Sequence, residues 1–100
     1  MTNDPQSEIS AEASPLVYSN QFRDVERVRR RGKDLEKLKG LIRLLASGEP
    51  LPQSYRDHPL KGRFAGWRDA HLEPDWLLLY RATAGTVRLE RTGSHADLFQ

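Results

Sequence analysis

Apolar residues along this chain follow a helical period in its first half and an alternating period in its second. Leu16, Val17 and Tyr18 form a short apolar run that predicts an edge strand. Tyr18, Phe22, Val25 and Val28 then recur at helical spacing, predicting an amphipathic helix over residues 20–31, capped by Ser19 or Asn20 and stopped at Gly32. Its outer face is basic, with Arg23, Arg27, Arg30 and Arg31. Asp34 is placed to cap a second helix whose buried stripe is Leu35, Leu38, Leu41, Ile42 and Leu45, and Gly48 and Pro50 end it. The short break between the two makes an αα-hairpin. After a Pro-rich connection from Pro50 to Pro59, Phe64 to Glu73 reads as a strand, Pro74 and Asp75 as a tight turn, and Trp76 to Ala82 as the next strand. Thr83 to Gly85 make a second turn and Thr86 to Thr92 a third strand. Ser94 to Phe99 is short enough for a single helical turn.

The order predicts an α+β fold: an N-terminal strand and a two-helix hairpin packed on one face of a small antiparallel sheet. Strict alternation puts Trp67, Asp69, His71 and Glu73 on one face of the first meander strand, with Arg68, Ala70 and Leu72 on the other. It also groups Val87, Leu89 and Arg91 on one face of the third. The strand from Trp76 is apolar nearly throughout, which predicts a central strand buried on both sides.

Composition narrows the function classes. The 100 residues suffice for one domain, and the absence of cysteine excludes disulfides, thiolate catalysis and cysteine-held metal centres. No apolar run reaches the ~20 residues needed to cross a bilayer, and the N-terminus has neither the basic nor the apolar region of a secretory signal. A cytoplasmic location is therefore expected. Residues 1–15, rich in Ser, Glu, Pro and Asp, read as a disordered or loosely ordered tail before a domain at 16–100. The formal charge of +2 hides an asymmetry: residues 1–17 hold Asp4, Glu8 and Glu12 with no Lys or Arg, so the remainder carries +5. A basic small domain suits a polyanionic partner such as nucleic acid.

The chemistry-bearing candidates are His58, His71 and His95. Imidazole is the side chain best matched to proton transfer near neutral pH. Their spacing fits no standard zinc pattern, so neither a metal nor another cofactor is expected.

Three strings sharpen this picture: Tyr55-Arg-Asp-His-Pro-Leu-Lys-Gly62, Gly66-Trp-Arg-Asp-Ala-His-Leu-Glu-Pro-Asp-Trp76 and Glu90-Arg-Thr-Gly-Ser-His-Ala-Asp-Leu-Phe99. Together they resemble the YafQ-type toxins of the RelE/ParE superfamily of type II toxin–antitoxin systems, over about residues 16–100. The resemblance implies a metal-independent endoribonuclease, an mRNA interferase that cuts mRNA in the ribosomal A site. The substrate's own 2′-OH is then the nucleophile. It also implies a cognate antitoxin, small, dimeric and DinJ/RelB-like, and no membrane partner. By similarity His58, His71, Asp75 and His95 form the acid–base and phosphate-contacting set. His95 is the first choice for general acid, and the base is left open among His58, His71 and Asp75. Trp76 and Phe99 are assigned to positioning the substrate, by stacking or by shaping the pocket, and Arg91 to the phosphate.

Two other classes are carried beside this one. A ParE-like toxin would act on a protein target such as a topoisomerase and would need no histidine cluster. A basic RNA- or ribosome-binding module would bind with strong salt dependence and form no product.

Overall fold

The structure is a computed structural model and describes residues 15–83 and 85–100. The tail assigned to residues 1–15 thus falls outside the described residues except for Pro15, whose carbonyl accepts a hydrogen bond from the Val87 amide (2.9 Å). Ala84 of the second predicted turn also falls outside them.

Five strands form one sheet in the order β1-β5-β4-β3-β2. These are β1 (Leu16–Tyr18), β2 (His58–Pro59), β3 (Arg68–Glu73), β4 (Trp76–Thr83) and β5 (Thr86–Gly93). The meander β3-β4-β5 is antiparallel as the short turns require, and β4 lies in the middle. β1 pairs with β5 in parallel at one edge, and the helical hairpin carries the chain from β1 across the sheet to β2 at the other.

Helix α1 (Asp24–Arg30) is preceded by a 3₁₀ turn over Asn20–Arg23, which Ser19 caps by accepting from the Gln21 amide (3.1 Å). Helix α2 (Leu35–Ser47) is capped by Asp34, whose side chain accepts from the Glu36 amide (3.0 Å), and ends at Gly48. Leu38, Leu41 and Leu45 of α2 and Phe22 and Val28 of the first helical segment pack on one face of the sheet. There they meet Ala70, Trp76, Leu78, Tyr80, Val87 and Leu89. The opposite face carries a smaller cluster of Leu77, Leu79 and Leu98, flanked by Leu60, Phe64, Trp67 and Phe99. A short C-terminal helix α3 (His95–Phe99) covers part of this second face.

Three departures from strict alternation matter for the site. The strand expected from Phe64 begins only at Arg68, because a 3₁₀ turn over Gly62–Phe64 and the left-handed Gly66 (φ 94°) break the extended run. A bulge between His71 and Glu73 turns Glu73 to the helical side, where Lys33 and Lys37 hold it at 2.8 and 3.0 Å. A second register shift pairs Leu79 with Arg91 and Tyr80 with Leu89, so Arg91 faces away from Leu89 rather than sharing its side.

Candidate active site

The second face of the sheet gathers all three histidines into a row. Strand β2, a two-residue strand hidden in the Pro-rich connection, pairs His58 with Asp69 of β3. His71 lies two residues along β3 on the same side, and His95 opens α3 just after β5. The imidazole centroids of His58 and His71 are 6.0 Å apart and those of His71 and His95 are 5.8 Å apart. Phe99 continues the row, 6.3 Å beyond His95, and meets Phe64 edge-on at 5.1 Å.

Each end of the row is held at Nδ1. His58 Nδ1 lies 2.8 Å from the Arg56 carbonyl. A carbonyl can only accept, so Nδ1 is the donor in this contact. Arg56 presents that carbonyl from a left-handed conformation (φ 49°), the one non-glycine residue with positive φ among those described. Beside it, Asp57 receives the Tyr80 hydroxyl and, at 2.9 Å, the Arg68 guanidinium, tying the segment to the core. At the other end His95 Nδ1 lies 2.6 Å from Asp75 Oδ1, which also accepts the His95 backbone amide at 2.8 Å. That amide, followed by the imidazole, holds the Asp75 carboxyl below its ordinary range. The Pro74–Asp75 turn is thus a latch for the His95 side chain.

Helix α3 is fixed by a capping box. Ser94 accepts from the Asp97 amide (3.1 Å), and Asp97 accepts from the Ser94 amide (2.9 Å). Asp97 also receives Arg31 at 2.7 Å and Arg27 at 3.2 Å, and the Arg31 guanidinium is the main cause that depresses its carboxyl. A side chain at Gly93 would bring a Cβ within 2.7 Å of Asp97 Oδ2, so only glycine leaves room for this box.

Beneath the row lies a group to which the sequence reading gives no role. Asp69 is 3% exposed, and burial raises its pKa against the opposing attraction of His58, His71 and His95. Its Oδ1 is 3.1 Å from His58 Nδ1, but that N–H is directed at Arg56, and Oδ1 has no hydrogen bond among the described residues. His71 Nδ1 is likewise buried without a partner. The available signal was that Asp69 stands two positions before His71 on an extended strand, on the same face. His58, Asp69 and His71 each offer an atom within 4.8 Å of the others, close enough for a divalent ion.

Of the residues expected at the site, one lies in the core of the other face and one is engaged by another partner. Trp76 is 1% exposed, on the helical face, and donates to Thr92 Oγ1 at 2.9 Å. It is a core residue and cannot stack on a base. Arg91 is on the correct face, but its guanidinium is taken up by Asp24 at 2.8 Å. Phe99 is where it was expected.

A row of imidazoles with opposite ends anchored and one buried carboxylate below can accept a proton, donate one and stabilise anionic charge between them. Comparisons with known proteins give the chain's relatives. The family model described as the bacterial toxin of type II toxin–antitoxin system, YafQ, matches residues 15–100. The mRNA interferase toxin YafQ of Escherichia coli (strain K12) is 52% identical over 86 residues, covering 84% of this chain and 94% of that protein. The crystal structure of YafQ from E. coli strain BL21(DE3) superposes with a TM-score of 0.84 at 48% identity, covering 87% of this chain and 99% of that one. YafQ in the E. coli DinJ–YafQ toxin–antitoxin complex gives 0.82 at 49% identity, covering 88% and 99%.

Proposed function

The chain belongs to the YafQ family of type II toxin–antitoxin toxins, and from that membership we propose that it inhibits translation by cutting mRNA in the ribosomal A site. The observation that carries the reading is the histidine row, with its ends held by different acceptors. The membership favours the nuclease branch over the topoisomerase-directed alternative, which has no use for such a row.

His58 Nε2 takes the proton of the substrate 2′-OH. The 2′-oxygen attacks the adjacent phosphorus as the P–O5′ bond breaks. His95, protonated and steadied by Asp75, gives its Nε2 proton to the departing 5′-oxygen. The products are a 2′,3′-cyclic phosphate and a 5′-hydroxyl. His71, between the two, faces the charge that builds on the phosphorane, and Asp69 stabilises the imidazolium ions that form above it. Base and acid at opposite ends of the row suit an attack in line with the leaving oxygen. Phe99 positions the flanking base. No step uses a metal ion.

The active unit is residues 16–100, working in the cytoplasm. No described helix is long and apolar enough to cross a membrane. Its regulator is a DinJ-like antitoxin, as in the E. coli complex. Primer extension on mRNA programmed into ribosomes tests the reading. New ends with wild-type protein that vanish with His95→Ala are expected. Intact mRNA under conditions where induction still stops growth would overturn it.

A further inference from the structure

The acid–base chemistry leaves unused a groove on the far side of Phe99. Trp67, Phe64 and Leu98 form its wall and floor, and Gln21, Arg63 and Gln100 its rim, enclosing about 370 Å³. That volume lies within the range of about 300–1,000 Å³ found for small-ligand sites. We propose that this groove seats one nucleotide of the RNA next to the scissile phosphate, and so sets a base preference beyond the reacting centre. The inference rests on the nuclease reading.

Continuity comes first. Phe64 is shared: it walls the groove and contacts Phe99 at 5.1 Å, and Phe99 is 6.3 Å from His95. A strand leaving the histidine row past Phe99 meets Phe64, which lines the groove. The chemistry of the lining is the second argument. Single-stranded RNA is held by aromatic faces, cationic groups on the backbone and amides on base edges. Trp67 and Phe64 supply the aromatic surface. The Trp67 ring is stiffened by the Arg81 guanidinium, 4.1 Å from its centroid, and Arg63 lies 5.1 Å from the Phe64 centroid. Gln21 and Gln100 each offer a donor and an acceptor, as base edges do. Two other charges on the lining are already matched, Arg91 by Asp24 and Glu90 by Arg88, which among the described residues of the lining leaves Arg63 as the cation presented to a phosphate.

The third argument is local. The turn that interrupts the expected strand exists only because Gly62 and Gly66 both take left-handed conformations (φ 67° and 94°). That turn swings Phe64 onto Phe99 and sets Arg63 on the rim. Without it β3 would begin earlier and the groove would have no wall.

The test uses uncleavable 2′-O-methyl oligonucleotides and the whole chain. A dinucleotide spanning the scissile linkage is compared with trinucleotides extended at the 5′ or the 3′ end. The two indole N–H resonances are the reporters, because Trp76 is buried in the core and Trp67 lines the groove. One of the two extensions is expected to move the Trp67 resonance and bind more tightly, by about 5-fold or more, the effect of one stacked base. Arg63→Gln and Gln100→Ala, at exposed positions that do not threaten the fold, should abolish that gain and leave dinucleotide binding unchanged. A Trp67 resonance that ignores both extensions overturns the proposal, whatever the histidine resonances do. So does an Arg63→Gln protein that loses affinity only for the antitoxin. Failure of the nuclease reading would appear separately, as intact ribosome-bound mRNA in primer extension with the groove response to oligonucleotides retained.

Discussion

Replacing Asp69 with Asn should make the protein more stable and less active at once. Asp69 is 3% exposed, its Oδ1 has no hydrogen bond among the described residues, and burial is the main cause that raises its pKa. The ionised carboxylate is therefore a net cost to the fold above its raised pKa. Its nearest cation is His58, half exposed and charged only when protonated, so the attraction is screened. Asn keeps the shape and removes the charge. Relief of a buried, poorly compensated charge is worth on the order of 1 kcal/mol or more. In a domain of this size that is a rise of about 4–8 °C in Tm per kcal/mol. The pH dependence follows from the direction of the shift. The folded state holds the Asp69 proton more tightly than the unfolded state, so wild-type stability falls as pH rises from the ordinary aspartate value of 3.8 through the folded pKa. The gap between variant and wild type should be widest at pH 7 and close as the pH approaches 4. Cleavage should move the other way and drop by about 100-fold or more, because the imidazolium ions above Asp69 lose their counter-charge. Thermal melts at pH 7 and pH 4, paired with single-turnover cleavage, read both effects. A variant that melts below wild type at pH 7, or cuts at the wild-type rate, would refute the reasoning.

Trp76→Phe should cost about 1–3 kcal/mol of stability through the lost Thr92 hydrogen bond and core volume, with the cleavage rate per folded molecule unchanged; denaturant melts with active-site titration check this, and a selective loss of rate would return Trp76 to the substrate. Gly93→Ala should drive a Cβ into Asp97, break the capping box and abolish cleavage while the α1–α2 face stays folded. Hydrogen exchange should show the loss of protection confined to α3 and its surroundings, and full activity would count against α3 as the holder of His95. Exhaustive chelation with EDTA should leave cleavage by the purified toxin on preformed ribosome complexes unchanged, provided magnesium for the ribosome is restored; lost activity recovered only by a transition metal would place an ion at His58, Asp69 and His71.

Much of this molecule is readable in its residues, for identifiable reasons. The α2 stripe of Leu38, Leu41 and Leu45, the Asp34 cap and the Gly48 stop are local signals, and they appear as expected. The nearly unbroken apolar run from Trp76 to Tyr80 predicts a central strand, and β4 lies in the middle of the sheet with both faces buried. The departures arise where local pattern yields to pairing. A bulge reverses Glu73, a register shift reverses Arg91, and β2 is two residues long and recognisable only by its partner Asp69. The histidines were found by residue type and by resemblance, since no spacing rule brings positions 58, 71 and 95 together. Asp69 went unnoticed because a lone carboxylate on a strand reads as surface until its burial is known. Trp76 shows the opposite case: similarity assigns it to stacking or to shaping the pocket, and its burial is compatible only with the second.

The central claim is that the substrate's 2′-oxygen is the nucleophile and the histidine row moves the protons. The most direct measurement places a single 2′-O-methyl group at the cleaved nucleotide of an mRNA programmed into ribosomes. The account predicts no cleavage at that linkage, and on the unmodified message a 2′,3′-cyclic phosphate end formed at a rate that collapses with His58→Ala and His95→Ala. Cleavage that persists at the methylated position would contradict it, because the attacking oxygen would then have to come from water.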